Sequence, residues 1–209
     1  MTGPVITGVD GGACATDALV LGRWMAETLD VPLIVAVVHP AAAALGSGRV
    51  DAEWVADRHR AADLVLDTAR SALAGATGPV EYRSVASSSA AHGLHDLAEE
   101  TGAAAIVVGS GRDAVKQRLF PGSTAERLLA GSVCPIAVAP AEMSVPPGAL
   151  SRIGVAYVDT PDGRAALVEA AKLARRTGAG LRLYTVVADQ DATLPFLIGA
   201  DAERAFLDT

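Results

Sequence analysis

Short apolar segments alternate with amphipathic ones along the first 140 residues. Five apolar segments predict strands, at residues 5–9, 31–39, 79–85, 103–108 and 135–139. Most are almost free of polar residues, as parallel strands covered on both faces are. The third segment alternates more, which is typical of a strand nearer a sheet edge. The apolar positions therefore predict a five-stranded parallel sheet.

Helical periodicity fills the stretches between these strands, at residues 16–29, 50–73, 88–100 and 124–129. The first of these helices places Leu19, Trp24 and Leu29 on one broad face directed at the core. Strands and helices that alternate with short joints indicate a doubly wound α/β sheet. We expect this domain to occupy residues 1–140.

Residues 141–150 interrupt the pattern with two adjacent prolines and a glycine, and they predict a linker. After the linker the pattern restarts, with Asp159 following its strand as Asp10 follows the first, 149 residues earlier. Residues 151–209 therefore predict a partial second β-α-β copy. The sequence leaves open whether this copy is truncated or packs on the first domain or a partner.

Composition narrows the class of protein. Hydrophobic residues make up 51% of the chain, which suffices for a buried core, and the net charge is −7. This acidity argues against nucleic acid or an anionic membrane as a partner. Cys14 and Cys134 lie far apart without metal-site spacing, and the sequence has neither a signal segment nor a long apolar run. We expect a cytoplasmic protein with reduced thiols and no membrane segment.

The strongest chemical signal lies between residues 104 and 124. The fourth apolar run stops at Gly109, Gly111 follows, and a cluster of small residues opens the next helix: Gly122, Ser123 and Thr124. Glycines let backbone N–H groups approach an oxyanion closely, and hydroxyls add donors. Open α/β sheets also bind ligands beyond the carboxyl ends of their strands. The segment predicts an anion-binding loop.

Three basic residues, Arg112, Lys116 and Arg118, add positive charge to this loop in an otherwise acidic chain. The alternative is an ordinary surface loop with a Ser/Thr helix cap and solvated arginines. The spacing matches neither the Walker A loop nor the G-x-G-x-x-G fingerprint.

These residues resemble the universal stress protein family, whose nucleotide-binding members carry G-x2-G-x9-G-(S/T) after the fourth strand. Gly109, Gly122 and Ser123 match the motif, whereas Arg112 stands at the second glycine and Gly111 lies one place before it. Further matches are VDGG after the first strand and Cys134-Pro135 before the fifth. The resemblance covers residues 3–140, with a partial second copy beyond them, and implies an adenine-nucleotide alpha-hydrolase-like sheet.

The resemblance also implies a site for ATP or a related adenine nucleotide, with or without Mg²⁺. Asp10 would lie near the ribose or adenine and Val38 beside the base. The ribose and phosphates would contact residues of the glycine loop: Gly109, Gly111, Gly122, Ser123 and Thr124. Arg112 would either fill the phosphate volume or bind a phosphate through its guanidinium.

The implied role is regulatory, in the stress response and through protein partners. No general base accompanies a nucleophile, so we predict no enzyme, while slow hydrolysis of bound ATP stays open. The rival interpretation is a nucleotide-free module that dimerises through its fifth strand, as a homodimer or by pairing of the repeats. We expect no ligand at the second copy, which lacks the glycine loop.

Other polar residues receive simpler interpretations. Asp10 also suits a cap for the helix that begins near Gly12. Cys14 lies at that helix start, where a thiolate is favoured electrostatically, but a buried thiol is the simpler expectation. His39 is expected to be a solvated strand end. His92 and His95 have the spacing of a metal pair without further ligands, so we expect two exposed histidines and no metal.

Overall fold

The computed structural model describes residues 3–41, 52–111, 119, 121–143 and 150–186, with residues 52–56 described by their backbone. The chain divides into two compact units, Met1–Ala149 and Leu150–Thr209. Among the described residues, no helix has both the length and the apolar character that crossing a bilayer requires.

The first unit contains five strands and four helices that alternate along the described chain. Its elements are β1 (Val5–Gly8), α1 (Ala15–Leu29), β2 (Leu33–Pro40), α2 (Ala52–Ala72), β3 (Val80–Ser87), α3 (Ala90–Thr101), β4 (Ala105–Gly109), α4 (Ser123–Leu129) and β5 (Ile136–Ala139). The strands form one sheet in the order β3-β2-β1-β4-β5, and every pair is parallel. The predicted fold class is confirmed, and β3 lies at an edge.

The core consists of two apolar layers, one on each face of the sheet. Successive residues of a strand point to opposite faces, so Val5 packs with α1 and α2, whereas Ile6 packs with α3 and α4. Both side chains are fully buried. This two-sided cover explains the nearly continuous apolar runs. Trp24, expected in the core, is half-buried and belongs to neither cluster.

Local signals set the ends of several helices. Ser89 accepts a hydrogen bond from the His92 N–H (3.2 Å) at the start of α3, and Gly102 ends this helix with a φ of 61°. The capping hydroxyl satisfies an N–H that has no partner within the helix, and glycine adopts the left-handed region without strain. Asp30 ends α1 in the same region, with a φ of 55°.

The second unit repeats the first β-α-β turn of the fold. It contains β6 (Arg152–Ala156), α5 (Pro161–Thr177) and β7 (Gly180–Tyr184), and its two strands are parallel. The side chain of Thr160 caps α5 by accepting the N–H of Gly163 (3.1 Å). Among the described residues of this unit, only Val155 and Ala174 are buried hydrophobics.

One close contact fixes the position of α1 on the sheet. Gly22 faces Thr7 of β1, and a Cβ at Gly22 would overlap the Thr7 Oγ1. Thr7 is fully buried, and its hydroxyl has no hydrogen-bond partner in the described structure. Glycine in a helix interior is unfavourable in itself, so the short distance between α1 and β1 is what explains this residue.

We predict that Gly22→Ala lowers the free energy of unfolding by about 1–3 kcal/mol, because overpacking outweighs the better helix propensity of alanine. Urea denaturation measures the change. In a double-mutant cycle, adding Thr7→Ala should recover a large part of the loss, since it removes the overlapping atoms. Purely additive losses would contradict a steric origin.

Candidate functional site

A cavity with a volume of about 710 Å³ opens at the carboxyl ends of β1, β2 and β4. Seven of the eight sequence-predicted binding residues line it: Asp10, Val38, Gly109, Gly111, Gly122, Ser123 and Thr124. The eighth, Arg112, lies outside the described residues, as do Lys116 and Arg118. Three segments that are distant in sequence thus meet around one space.

Asp10 lies in the loop between β1 and α1. Its Oδ1 accepts a hydrogen bond from the N–H of Gly12 (2.8 Å), and the residue is exposed. The expected role as a helix cap is wrong, because α1 begins at Ala15 with Cys14 at the cap position. Asp10 instead closes a tight turn two residues on, a common role of aspartate. This turn holds the carboxylate beside the cavity.

Gly109 is needed where the β1–α1 loop crosses the end of β4. A Cβ at Gly109 would lie 2.5 Å from the carbonyl oxygen of Cys14 and 2.9 Å from its Cβ. A side chain at Gly109 would therefore force either the end of β4 or the β1–α1 loop to move. Gly122 lies close to a second glycine, since a Cβ added at Gly122 would be 3.3 Å from the Cα of Gly111. These glycines let three chain segments approach closely at the cavity wall.

Ser110 is a lining residue that sequence reasoning missed. It is buried, and both its N–H (3.0 Å) and its hydroxyl (2.7 Å) donate to the carbonyl oxygen of Ala139 at the end of β5. The start of the loop after β4 is therefore attached to β5. A serine directly after an apolar strand was the only signal available.

One part of the cavity lining is apolar. Val38 lies there with Ala36, Leu94 and Val108. The α3 helix packs tightly on this wall, because a Cβ at Gly93 would lie 2.8 Å from a methyl carbon of Val38. A cavity with one apolar wall and a second wall of backbone and hydroxyl groups suits a ligand with an aromatic ring and a polar tail.

The profile of the Universal stress protein family matches residues 1–140. The chain belongs to this family. A universal stress protein of Mycobacterium tuberculosis (strain ATCC 25618 / H37Rv) is 31% identical over 129 residues, which cover 62% of this chain and 44% of that one. The chain thus spans less than half the length of the curated relatives it matches.

Two solved universal stress proteins share the fold. One from Archaeoglobus fulgidus DSM 4304 is 18% identical, with a TM-score of 0.69, over 98% of this chain and 72% of that chain. Another from Archaeoglobus fulgidus, solved in complex with dAMP, is 20% identical, with a TM-score of 0.51, over 65% of this chain and 96% of that chain.

The positive charge expected of the loop stays a prediction, because its three basic residues lie outside the described residues. Among the described lining residues, Asp10 is the only acidic one, and none is a lysine or arginine. The other polar groups are backbone amides, the Cys14 thiol and the hydroxyls of Ser110, Ser123 and Thr124. Within the described wall, an anionic ligand would be held by neutral donors.

Cys14 lies at the start of α1 and lines the cavity. Burial raises the pKa of its thiol, and the carboxylates of Asp17 and Asp10 raise the pKa further. The expectation that the helix start favours a thiolate is therefore wrong, because two nearby negative charges oppose it. The residue is half-buried rather than fully buried.

His39 and His95 differ from expectation, whereas His92 does not. His39 is not a solvated strand end but is buried, with its ring centroid 4.6 Å from that of His59. It lies on the α2 side of the sheet, because it shares the strand parity of Val35 and Val37. His92 is exposed and His95 is half-buried. Within the described residues no three metal-ligating side chains come together.

A second cavity of about 310 Å³ opens at the amino ends of β2 and β3. Its polar side chains are hydrogen-bonded to one another. The Glu27 carboxylate accepts hydrogen bonds from the Arg23 guanidinium (2.8 Å) and from the Thr77 hydroxyl (3.2 Å). Ligands of such sheets bind at the carboxyl ends of the strands, so the larger cavity is the better candidate.

We predict that Cys14 reacts slowly with iodoacetamide near neutral pH, because its thiol is mostly protonated there. In a Cys134→Ser variant, which leaves one thiol, the rate should rise about tenfold per pH unit through pH 8 and beyond, in proportion to the thiolate fraction. Mass spectrometry follows the labelling.

The same variant unfolded in urea provides the reference rate, since its thiol has an ordinary pKa. A folded protein that labels faster than this reference at pH 7 would contradict the raised pKa of Cys14.

Proposed function

We propose that the first unit binds an adenine nucleotide, with ATP as the preferred ligand, in the cavity at the carboxyl ends of β1, β2 and β4. The observation that carries the proposal is the meeting of seven predicted binding residues around one space. Its volume lies within the ~300–1,000 Å³ typical of small-molecule pockets. Membership of the universal stress protein family and a solved relative with bound dAMP support the same chemistry.

Each wall of the cavity would contact a different part of the nucleotide. The adenine would pack beside Val38, and the carboxylate of Asp10 would accept a hydrogen bond from a ribose hydroxyl. The backbone at Gly109, Gly111 and Gly122 leaves room for close approach of phosphate oxygens. Ser123 and Thr124 would donate hydroxyl hydrogen bonds to them. In this proposal Arg112 binds phosphate through its guanidinium.

We infer that the chain acts as a regulatory binding protein of the cytoplasm rather than as an enzyme. A hydrolase needs a base that activates the attacking water. Asp10, the only carboxylate in the described wall, is assigned to the ribose in this proposal. Mg²⁺ would enter with the phosphates of ATP and be held mainly by them and by water.

We predict that the full chain gives a binding isotherm with ATP in calorimetry. Gly122→Val plus Ser123→Ala should weaken binding by at least about tenfold, or ~1.4 kcal/mol, because the added side chain occupies the contact with Gly111 and one donor is lost. Circular dichroism checks that the fold persists.

The chain offers a matched control in Gly131→Val plus Ser132→Ala, just beyond the other end of α4. A Cβ at Gly131 would meet nothing within 4 Å, so this variant should bind ATP like the unchanged chain. No heat from the folded, unchanged chain would overturn the proposal.

A dimeric assembly through β5 is the second proposal. This strand lies at a sheet edge, and large apolar side chains are exposed near it, with Leu129 at 60% and Val133 at 53%. An open edge offers unpaired backbone groups to a second strand.

We predict that light scattering gives a dimeric mass at protein concentrations of tens of micromolar, a range in which weak specific interfaces form. Dilution should then lower the mass towards that of the monomer. A monomeric mass across the whole concentration series would contradict assembly through β5.

A further inference from the structure

A buried carboxylate holds the chain where it leaves the first unit. Asp17, in the first turn of α1, is 8% exposed. Its Oδ2 accepts the N–H of Glu142 (3.0 Å) and its Oδ1 accepts the N–H of Met143 (2.9 Å). We call this pair of hydrogen bonds the Asp17 clamp. Charge-assisted hydrogen bonds of this kind offset the cost of taking a carboxylate out of water.

The clamp holds an unusual backbone conformation. Glu142 has a φ of 54°, in the left-handed region that non-glycine residues seldom adopt. This conformation brings successive N–H groups to the same side, where one carboxylate can accept both. The strained turn and the buried acceptor therefore depend on each other. Without Asp17, the backbone would lose the two hydrogen bonds that offset the cost of its left-handed conformation.

The clamp is directly connected to the candidate nucleotide site. Asp17 lies three residues after Cys14, which lines the cavity and whose backbone contacts the end of β4 at Gly109. On the other side, Ser110 attaches the cavity loop to Ala139. The chain is thus tied at Ala139 to one cavity loop and, a few residues later, through Asp17 to the other.

The same residues begin the connection to the second unit. Glu142 and Met143 follow the family-matched region, and the second unit starts at Leu150. The covalent connection between the two units therefore passes through the clamp. A displacement of this connection would therefore be transmitted to the first turn of α1. A displacement of the cavity loops would in turn be transmitted to the connection.

We propose that the Asp17 clamp couples the cavity to the connection between the units, so that a bound adenine nucleotide strengthens the clamp and an intact clamp raises nucleotide affinity. The two effects are equal in size, because coupling between two binding events is reciprocal. This inference rests on the proposed function and adds a route by which the nucleotide controls the second unit. Asp17 is a positioning residue here, since it is not among the residues that line the cavity.

The first test uses the full, unchanged chain and AMP as the probe. Amide hydrogen exchange at Glu142 and Met143, followed by NMR, should slow by about fivefold or more when AMP saturates the cavity, at the lower end of typical allosteric couplings. The amide of Gly163, which is capped within the second unit, serves as the internal reference and should not change.

The second test compares two substitutions that remove the same charge from the same helix. Asp17→Asn places an amide NH₂ against one of the two backbone N–H groups and should weaken AMP binding by about fivefold or more. It should also abolish the effect of AMP on exchange. Asp30→Asn, at the far end of α1 where asparagine tolerates the left-handed conformation, should change neither.

The outcomes separate the two proposals. If AMP binds the unchanged chain but leaves exchange at Glu142 and Met143 as it was, the coupling is wrong and the nucleotide site stands. Equal AMP affinity in the Asp17→Asn and unchanged chains has the same meaning. If AMP does not bind the folded, unchanged chain, the exchange experiment is repeated with ATP; if ATP does not bind either, the proposed function fails and the coupling fails with it. The exchange experiment needs no variant, so it decides even if Asp17→Asn does not fold.

Discussion

The pairing of β1 with both β2 and β4 is the constraint from which the candidate site follows. Val5 lies opposite Leu33 on one side and Ala105 on the other, which places β1 in the middle of the sheet. The chain leaves β1 and β4 towards opposite faces, because α1 and α4 pack in different layers. A crevice opens between such strands at their carboxyl ends. The cavity occupies this crevice.

The features that repeat along the chain could be predicted from the sequence. Strands covered on both faces are mostly apolar, so β1, β2 and β4 were visible as short runs. The half-buried edge strand β5 shows the same apolar pattern. The edge strand β3 carries polar residues because it is only half-buried along most of its length. The glycine loop was visible because few backbone structures need small residues at such spacing. The residues of this loop line one cavity together with Asp10 and Val38, which the family resemblance implied.

Contacts between distant segments were not visible in the sequence. Gly109 looked like a residue that admits phosphate, yet it also makes room for the backbone of Cys14. Asp17 carried no prediction from the sequence, yet it holds Glu142 and Met143. Such roles depend on strand register and helix placement, which no local pattern records. The burial of His39 has the same origin, since it depends on where α2 lies.

The aspartates at corresponding positions of the two β-α-β units have different surroundings. Asp10 accepts only the N–H of Gly12 among the described bonds, and it remains beside a cavity. Its counterpart Asp159 accepts from the Arg164 guanidinium (2.7 Å) and the Tyr157 hydroxyl (3.0 Å), and these partners lower the pKa of its carboxyl. An arginine at the start of α5 thus neutralises the carboxylate locally. The aspartate after the first strand of each unit therefore lies beside a cavity in one unit and in an ion pair in the other.

The attachment of Ser110 to Ala139 has a consequence for the order of events during synthesis. A chain emerging from the ribosome can pair β1 with β2 early, because these strands are close in sequence. The wall after β4 gains its attachment to Ala139 only once β5 has also emerged, more than a hundred residues after Asp10. A nascent chain would therefore acquire its cavity last, after most of the sheet has formed. Ligand binding would report that the whole first unit has folded.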